Sequence, residues 1–166
     1  NQVTKTSPRY VVTGSTQDHS IKVADGANAN IVLSNVNISR TGEGQSPFEI
    51  ADDSDGDVSV TLEGTNNLQA GDGAAAIQKS GTNGKSPSKS GQLKITCGNT
   101  SPGHVCDSSC GTLVAAGGEG AAAIGGAAGK GTSKIDIAGG TITAAGGIGG
   151  GSGGEGTKME FSGGVI

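Results

Sequence analysis

The residues able to do chemistry fall into three groups. The first is the acidic run Ala51-Asp52-Asp53-Ser54-Asp55-Gly56-Asp57. Calcium is held by about six to eight oxygens, so alternating carboxylates around a turn glycine suit it. Asp53, Asp55 and Asp57 have that spacing and are the candidate calcium ligands. The run lacks the downstream glutamate of a complete EF-hand, and a solvated acidic turn between Ile50 and Val58 is the competing reading. The second group is positional. Gly42-Glu43-Gly44, Gly71-Asp72-Gly73 and Gly118-Glu119-Gly120 are three copies of one acid between two glycines. The third group is Cys97, His104, Cys106 and Cys110, the only cysteines of the chain and one of its two histidines.

The elements that position these residues are readable from the composition. One hundred and sixty-six residues make a single domain the default, here residues 1–166. Thirty-three are glycine, while Tyr10, Phe48 and Phe161 are the only aromatics. A core without large rings has to be built from Ile, Val, Leu and Ala in thin layers, which is how repeat architectures bury their apolar rows. The net charge of −4 gives no basic face for nucleic acid. No apolar run is long enough to insert in a membrane as a helix.

Four stretches share one pattern: residues 30–38, 58–68, 135–143 and 159–165. Each opens with alternating apolar residues, breaks at a small or polar pair and resumes. Period-two alternation marks half-buried strands. The inward candidates are Ile31 and Leu33, Val60 and Leu62, Ile135 and Ile137, Met159 and Phe161. A fifth copy is split. Leu93-Lys94-Ile95-Thr96 matches Ile135-Asp136-Ile137-Ala138, and Gly111-Thr112-Leu113-Val114-Ala115 matches Gly140-Thr141-Ile142-Thr143-Ala144, which makes residues 97–109 an inserted loop. A second element follows each copy, at residues 47–50, 74–77, 121–124 and 146–148. Strand, turn, strand, turn predicts an all-β chain folded as a right-handed parallel β-helix, a β-solenoid of about five short coils. Residues 1–28 are expected to form an irregular capping coil. The repeat stops within its last copy, so the chain is expected either to be a fragment, with neighbouring repeats or domains of a longer chain as partners, or to have this edge capped by another element.

The split copy makes a specific prediction about the cysteines. Cys97 and Cys110 lie at the two feet of the insertion, where the chain leaves and re-enters the strand path, so a Cys97–Cys110 disulfide is expected. Closing such a short loop is worth about 3 kcal/mol. A Cys106–Cys110 bridge is the runner-up, and a zinc site the rival, although Cys-x6-His-x-Cys-x3-Cys fits no recognised finger. In stacked coils, equivalent turns lie about 4.8 Å apart, so Glu43, Asp72 and Glu119 would form an acidic ladder able to bind cations or sugar hydroxyls. The lysines between Lys79 and Lys89 read as an exposed loop.

The phrases Val58-Ser59-Val60-Thr61-Leu62-Glu63-Gly64-Thr65-Asn66-Asn67-Leu68, Gly117-Gly118-Glu119-Gly120-Ala121-Ala122-Ala123-Ile124-Gly125-Gly126 and Ile137-Ala138-Gly139-Gly140-Thr141-Ile142-Thr143-Ala144 resemble a bacterial family. It is the secreted carbohydrate-binding β-helix proteins of clostridia and related gut bacteria. The resemblance runs from about residue 29 to the end and lies in repeat style, so it carries over no site residue. It implies a parallel β-helix, calcium and sugar binding.

These features lead to the expectation of a non-catalytic module, extracellular by secretion or at the cell surface. Its ligand would be a polysaccharide or a host or cell-surface glycan, with Glu43, Asp72 and Glu119 as contacts and calcium as the possible cofactor. A purely structural stalk is the alternative. Enzymatic readings are weaker, since glycosidases need two carboxylates across a cleft and a lyase needs a basic residue in an acidic setting, which neither Arg9 nor Arg40 has. Ice binding needs a longer threonine ladder than Thr141 and Thr143 provide.

Overall fold

Alternating apolar residues separated by glycine turns give fourteen short strands in the computed structural model, which describes residues 8–87, 89–99, 101, 104–107 and 109–166. Nine strands form one sheet: β1 (Arg9–Thr16), β3 (Ala29–Ser39), β5 (Val58–Glu63), β6 (Thr65–Gln69), β8 (Leu93–Cys97), β9 (Thr112–Ala116), β11 (Thr132–Ile137), β12 (Thr141–Ala145) and β14 (Gly156–Phe161). Five form a second: β2 (Ile21–Val23), β4 (Phe48–Ile50), β7 (Ile77–Lys79), β10 (Ile124–Gly125) and β13 (Ile148–Gly149). Neighbouring strands pair in parallel throughout both sheets.

The all-β, parallel character expected from the repeats is present, but the expected β-helix of about five short coils is not. The larger sheet runs β12-β9-β6-β3-β5-β8-β11-β14, with β1 alongside β3. Its centre is β3, one continuous strand of eleven residues that pairs with β5 through its first half and with β6 through its second. The polar pair Ser34-Asn35, where the apolar alternation breaks, does not interrupt the strand. Asn35 instead takes φ 55° within β3, and its Oδ1 accepts the Thr65 amide at 3.2 Å. A left-handed residue that keeps its strand paired bends the sheet. The result is a curled sheet facing a second, narrower one. Within residues 1–28, expected as an irregular capping coil, Arg9–Thr16 and Ile21–Val23 form β1 and β2, β1 with a register shift between Val12 and Gly14, while residues 1–7 lie outside the described residues.

The core lies between the two sheets. Ile31, Val60, Ile95 and Ile137 occupy one paired column, and Phe48, Ile77 and Ile124 another, all buried. Of the predicted inward residues, Met159 is half-buried and Phe161 is 55% exposed, because β14 is the last strand of its row. Asn66 is fully buried at an inward position of β6. Its Oδ1 accepts from the Val36 amide at 3.0 Å and its Nδ2 donates to the Glu63 and Thr112 carbonyls, both at 3.1 Å. A buried amide that meets its hydrogen-bonding needs costs little.

Successive turns approach so closely that no side chain fits between them. A Cβ on Gly71 would lie 1.9 Å from the Gly42 carbonyl oxygen, and one on Gly118 would lie 1.9 Å from the Gly71 oxygen. Gly73, by contrast, has φ 78° and open space around it. Gly71→Ala should therefore lower unfolding free energy by about 3 kcal/mol, the upper end for overpacking. Gly73→Ala should cost only the left-handed penalty of roughly 1–2 kcal/mol. Urea denaturation of the two variants checks the ranking.

Candidate functional site

The insertion between β8 and β9 gathers all three cysteines around His104. One ligating atom from each of Cys97, His104, Cys106 and Cys110 lies within 4.8 Å of every other. Cys97 ends β8, which pairs with β5, and Cys110 sits just before β9, which pairs with β6, so the consecutive strands β5 and β6 set the two feet of the loop. Both are buried, while His104 and Cys106 are half-buried. His104 Nε2 is 3.0 Å from Cys110 Sγ and 4.0 Å from Cys97 Sγ. The Asn99 side-chain amide contacts Nδ1 at 3.1 Å and so orients the ring. Backbone amides point at sulfur: Asn99 N–H donates to Cys97 Sγ at 3.3 Å and Gly140 N–H to Cys106 Sγ at 3.2 Å.

The expected Cys97–Cys110 disulfide is not formed, and all three cysteines are free thiols. The feet come together as the repeat alignment implies, and His104 and Cys106 join them in a four-centred cluster. The thiols are electrostatically unequal. Burial opposes ionisation of Cys97, yet hydrogen bonds from Cys110 and from the Asn99 and Gly111 backbones outweigh it and hold this thiol below its ordinary value. Burial first, then hydrogen bonding with Cys106 and Cys97, pushes Cys110 up to about 12. One thiolate is thus favoured, solvated by the other groups. Thiols around an imidazole can serve as a nucleophile, as a redox centre or as ligands to a soft metal.

The acid-bearing turns also come together. Gly44 N–H donates to the Asp72 carbonyl at 2.8 Å, and Gly73 N–H to the Glu119 carbonyl at 3.0 Å. Glu43, Asp72 and Glu119 therefore follow one another from repeat to repeat, and all three are exposed. The Asp72 carboxylate accepts the Glu119 amide at 3.3 Å, which fixes this pair.

Three of the acids in the run at residues 51–57 are tied to neighbouring turns. Asp52 forms an ion pair with Lys130, Asp53 accepts the Thr82 amide at 3.1 Å, and Asp57 accepts the Gln92 amide at 2.8 Å. Asp55 is exposed. Among the described residues the Cys/His cluster is the one group of three or more such ligands that converges, so Asp53, Asp55 and Asp57 are not brought together.

Two polar features escaped the sequence reading. Lys79, expected in an exposed loop, is 5% exposed, and its ammonium donates to Ser90 Oγ and, at 2.6 Å, to the Ser133 carbonyl. The signal was present: Lys79 lies two residues after inward Ile77 and pairs with buried Ile50. The remainder of that loop, Ser88 apart, is described, and Ser88 lies outside the described residues. The second feature is a polar hollow lined by Asp57, Gln92, Lys134, Asp136, Lys158 and Glu160. Asp136 is buried there, 3.8 Å from Lys94 Nζ, and accepts from Ser162 Oγ at 2.8 Å.

No known protein family, curated protein or solved structure matches the chain.

Burial, reinforced by nearby Lys134, lowers the Lys79 pKa from 10.5 to about 8, while Asp57 opposes the shift. Below pH 8 the ammonium is charged in both the folded and unfolded states, and its desolvation costs about 3 kcal/mol. Between pH 8 and the unfolded value the folded state holds fewer protons, so stability rises with pH. Lys79→Met lacks this titration. Urea midpoints measured from pH 7 to pH 10.5 should show the wild type gaining on the variant as pH increases.

Proposed function

We propose that the chain is a non-catalytic, extracellular binding module for an extended polysaccharide or cell-surface glycan. The observation that carries this reading is the exposed series Glu43, Asp72 and Glu119, set at equivalent turns of successive repeats and tied together by the backbone. Carboxylates accept hydrogen bonds from sugar hydroxyls, and an ordered series of acceptors suits a ligand that itself repeats. Each exposed contact contributes little, because its gain is offset by lost hydration. Binding then grows with ligand length through accumulation of weak contacts. No aromatic platform supports a single strong subsite here: Phe48, which opens the strand after the Glu43 turn, is fully buried.

A non-catalytic role fits the other polar groups as well. The Asp136 carboxylate is committed to Lys94 and Ser162, and Lys134 Nζ to the Ser90 carbonyl at 2.6 Å. These groups stabilise the sheet surface rather than wait for a substrate.

The test is a polysaccharide panel with oligomers of increasing length, measured by microarray and by isothermal titration. Wild type should bind at least one polymer, more tightly as length increases. The triple variant Glu43→Gln/Asp72→Asn/Glu119→Gln should bind at least about tenfold more weakly, equivalent to 1.4 kcal/mol, with unchanged circular dichroism. A structural stalk predicts no binding by either protein, and equal binding by both would move the site elsewhere.

A further inference from the structure

We propose that Cys97, His104, Cys106 and Cys110 form a closed, structural zinc site that fastens the inserted loop to the sheet. This goes beyond the glycan-binding reading and does not depend on it.

The ligand set comes first. Four ligating atoms within 4.8 Å of one another suit a single ion at their centre. Zinc–sulfur bonds of about 2.3 Å in a tetrahedron place sulfurs roughly 3.8 Å apart. Three sulfurs and one imidazole make a soft donor set, which selects zinc over calcium or magnesium. Four protein ligands complete the tetrahedron, the closed arrangement of a structural site, and two of them, Cys97 and Cys110, are buried. A disulfide would use two of the sulfurs and leave the third stranded beside the ring. The observed geometry has no such pair: all three converge on one region next to Nε2.

The surroundings are built to match. Thiolates bound to a metal are stabilised by backbone N–H donors, and a ligating histidine needs its second nitrogen held. Asn99 N–H and Gly140 N–H serve Cys97 and Cys106, and the Asn99 side chain holds His104 Nδ1. Gly139 makes room: a Cβ there would lie 2.8 Å from the Cys97 nitrogen and 3.4 Å from Cys106 Sγ. Gly140 belongs to the next repeat, so the sheet supplies part of the cradle.

The loop also needs such a fastener. Its described residues carry no strand between β8 and β9, and Val105 is 80% exposed. Among its described residues, the backbone–backbone hydrogen bonds within the loop are local turns, His104 N–H to Ser101 O and Cys110 N–H to Asp107 O, both at 3.0 Å. With no apolar anchor, the sulfur–imidazole cluster is the only core this loop has among its described residues. Binding displaces the remaining thiol protons to solvent as the zinc–sulfur bonds form, and no electron is transferred.

The full chain, purified under reducing conditions, is titrated with zinc against a chromophoric chelator, and in parallel with cobalt followed by absorption. The expected result is one zinc per chain, a cobalt spectrum with thiolate charge-transfer and tetrahedral ligand-field bands, and no displacement by excess calcium. Cys106→Ser and His104→Ala, whose side chains are only half-buried, should keep the fold and weaken zinc by at least roughly 100-fold, the upper end of what loss of an outer-shell partner costs. Asn99→Ala should weaken it by roughly 10–100-fold. Asp53→Asn/Asp55→Asn/Asp57→Asn should bind zinc like wild type. The proposal is overturned by less than stoichiometric uptake, by wild-type affinity in both ligand variants, by preferential retention of iron or copper, or by peptide mapping that finds a Cys97–Cys110 disulfide in the purified chain.

Discussion

The closeness with which one turn lies on the next governs this molecule. At Gly71 and Gly118 a neighbouring carbonyl oxygen occupies the space where a side chain would begin. Gly56 and Gly91 repeat the arrangement, with a Cβ on Gly91 falling 2.0 Å from the Gly56 oxygen. Backbone approaching backbone at that distance fixes the register of the turns, and the turns fix the register of the strands that leave them. The columns Phe48–Ile77–Ile124 and Ile31–Val60–Ile95–Ile137 follow from that alignment. So does the placement of Glu43, Asp72 and Glu119, each the residue after one of these crowded glycines or its equivalent at Gly42.

Much of this was legible. Alternation at residues 31–33, 58–62 and 135–137 identified buried positions correctly, because a half-buried strand leaves a period-two record in its side chains. The split copy was legible for the same reason. Leu93 and Ile95 pair with Ile135 and Ile137, and Thr112, Leu113 and Val114 with Thr141, Ile142 and Thr143, as the alignment of the two halves requires. What alignment does not encode is the path between matched segments. Ser34-Asn35 looks like a break because its residues are polar, yet a polar residue at positive φ can bend a strand without ending it. The expectation of separate short coils failed at that point. Phe161 and Met159 have the pattern of core residues but lie on the last strand of their row, and position in a sheet is invisible to local periodicity.

The cysteine cluster was half legible. Sequence located the two feet of the insertion and named zinc as a rival, but ranked a pairwise bond above it, since spacing alone carries no angle. Where four side chains meet depends on how the loop folds back, and here the Gly139-Gly140 corner of the next repeat provides the pocket. Lys79 shows the opposite error. Its charge suggested solvent, although its position two residues beyond Ile77 placed it inside. The interior accommodates it by lining the site with Ser90 Oγ and the Ser133 carbonyl, as it accommodates Asn66 with three backbone partners. A core of small aliphatic residues leaves room for such polar groups, provided each finds partners.

The bond from the Gly140 amide to Cys106 has a mechanical meaning. Cys106 belongs to the loop between β8 and β9, whereas Gly140 lies between β11 and β12. The loop therefore overhangs its own repeat and grips the following one. A tensile load along the stack, which would peel β11 from β8, must also pull this overhang out of its seat. The insertion acts as a rivet across one seam, an extra tie added to the strand pairing that already holds β8 to β11.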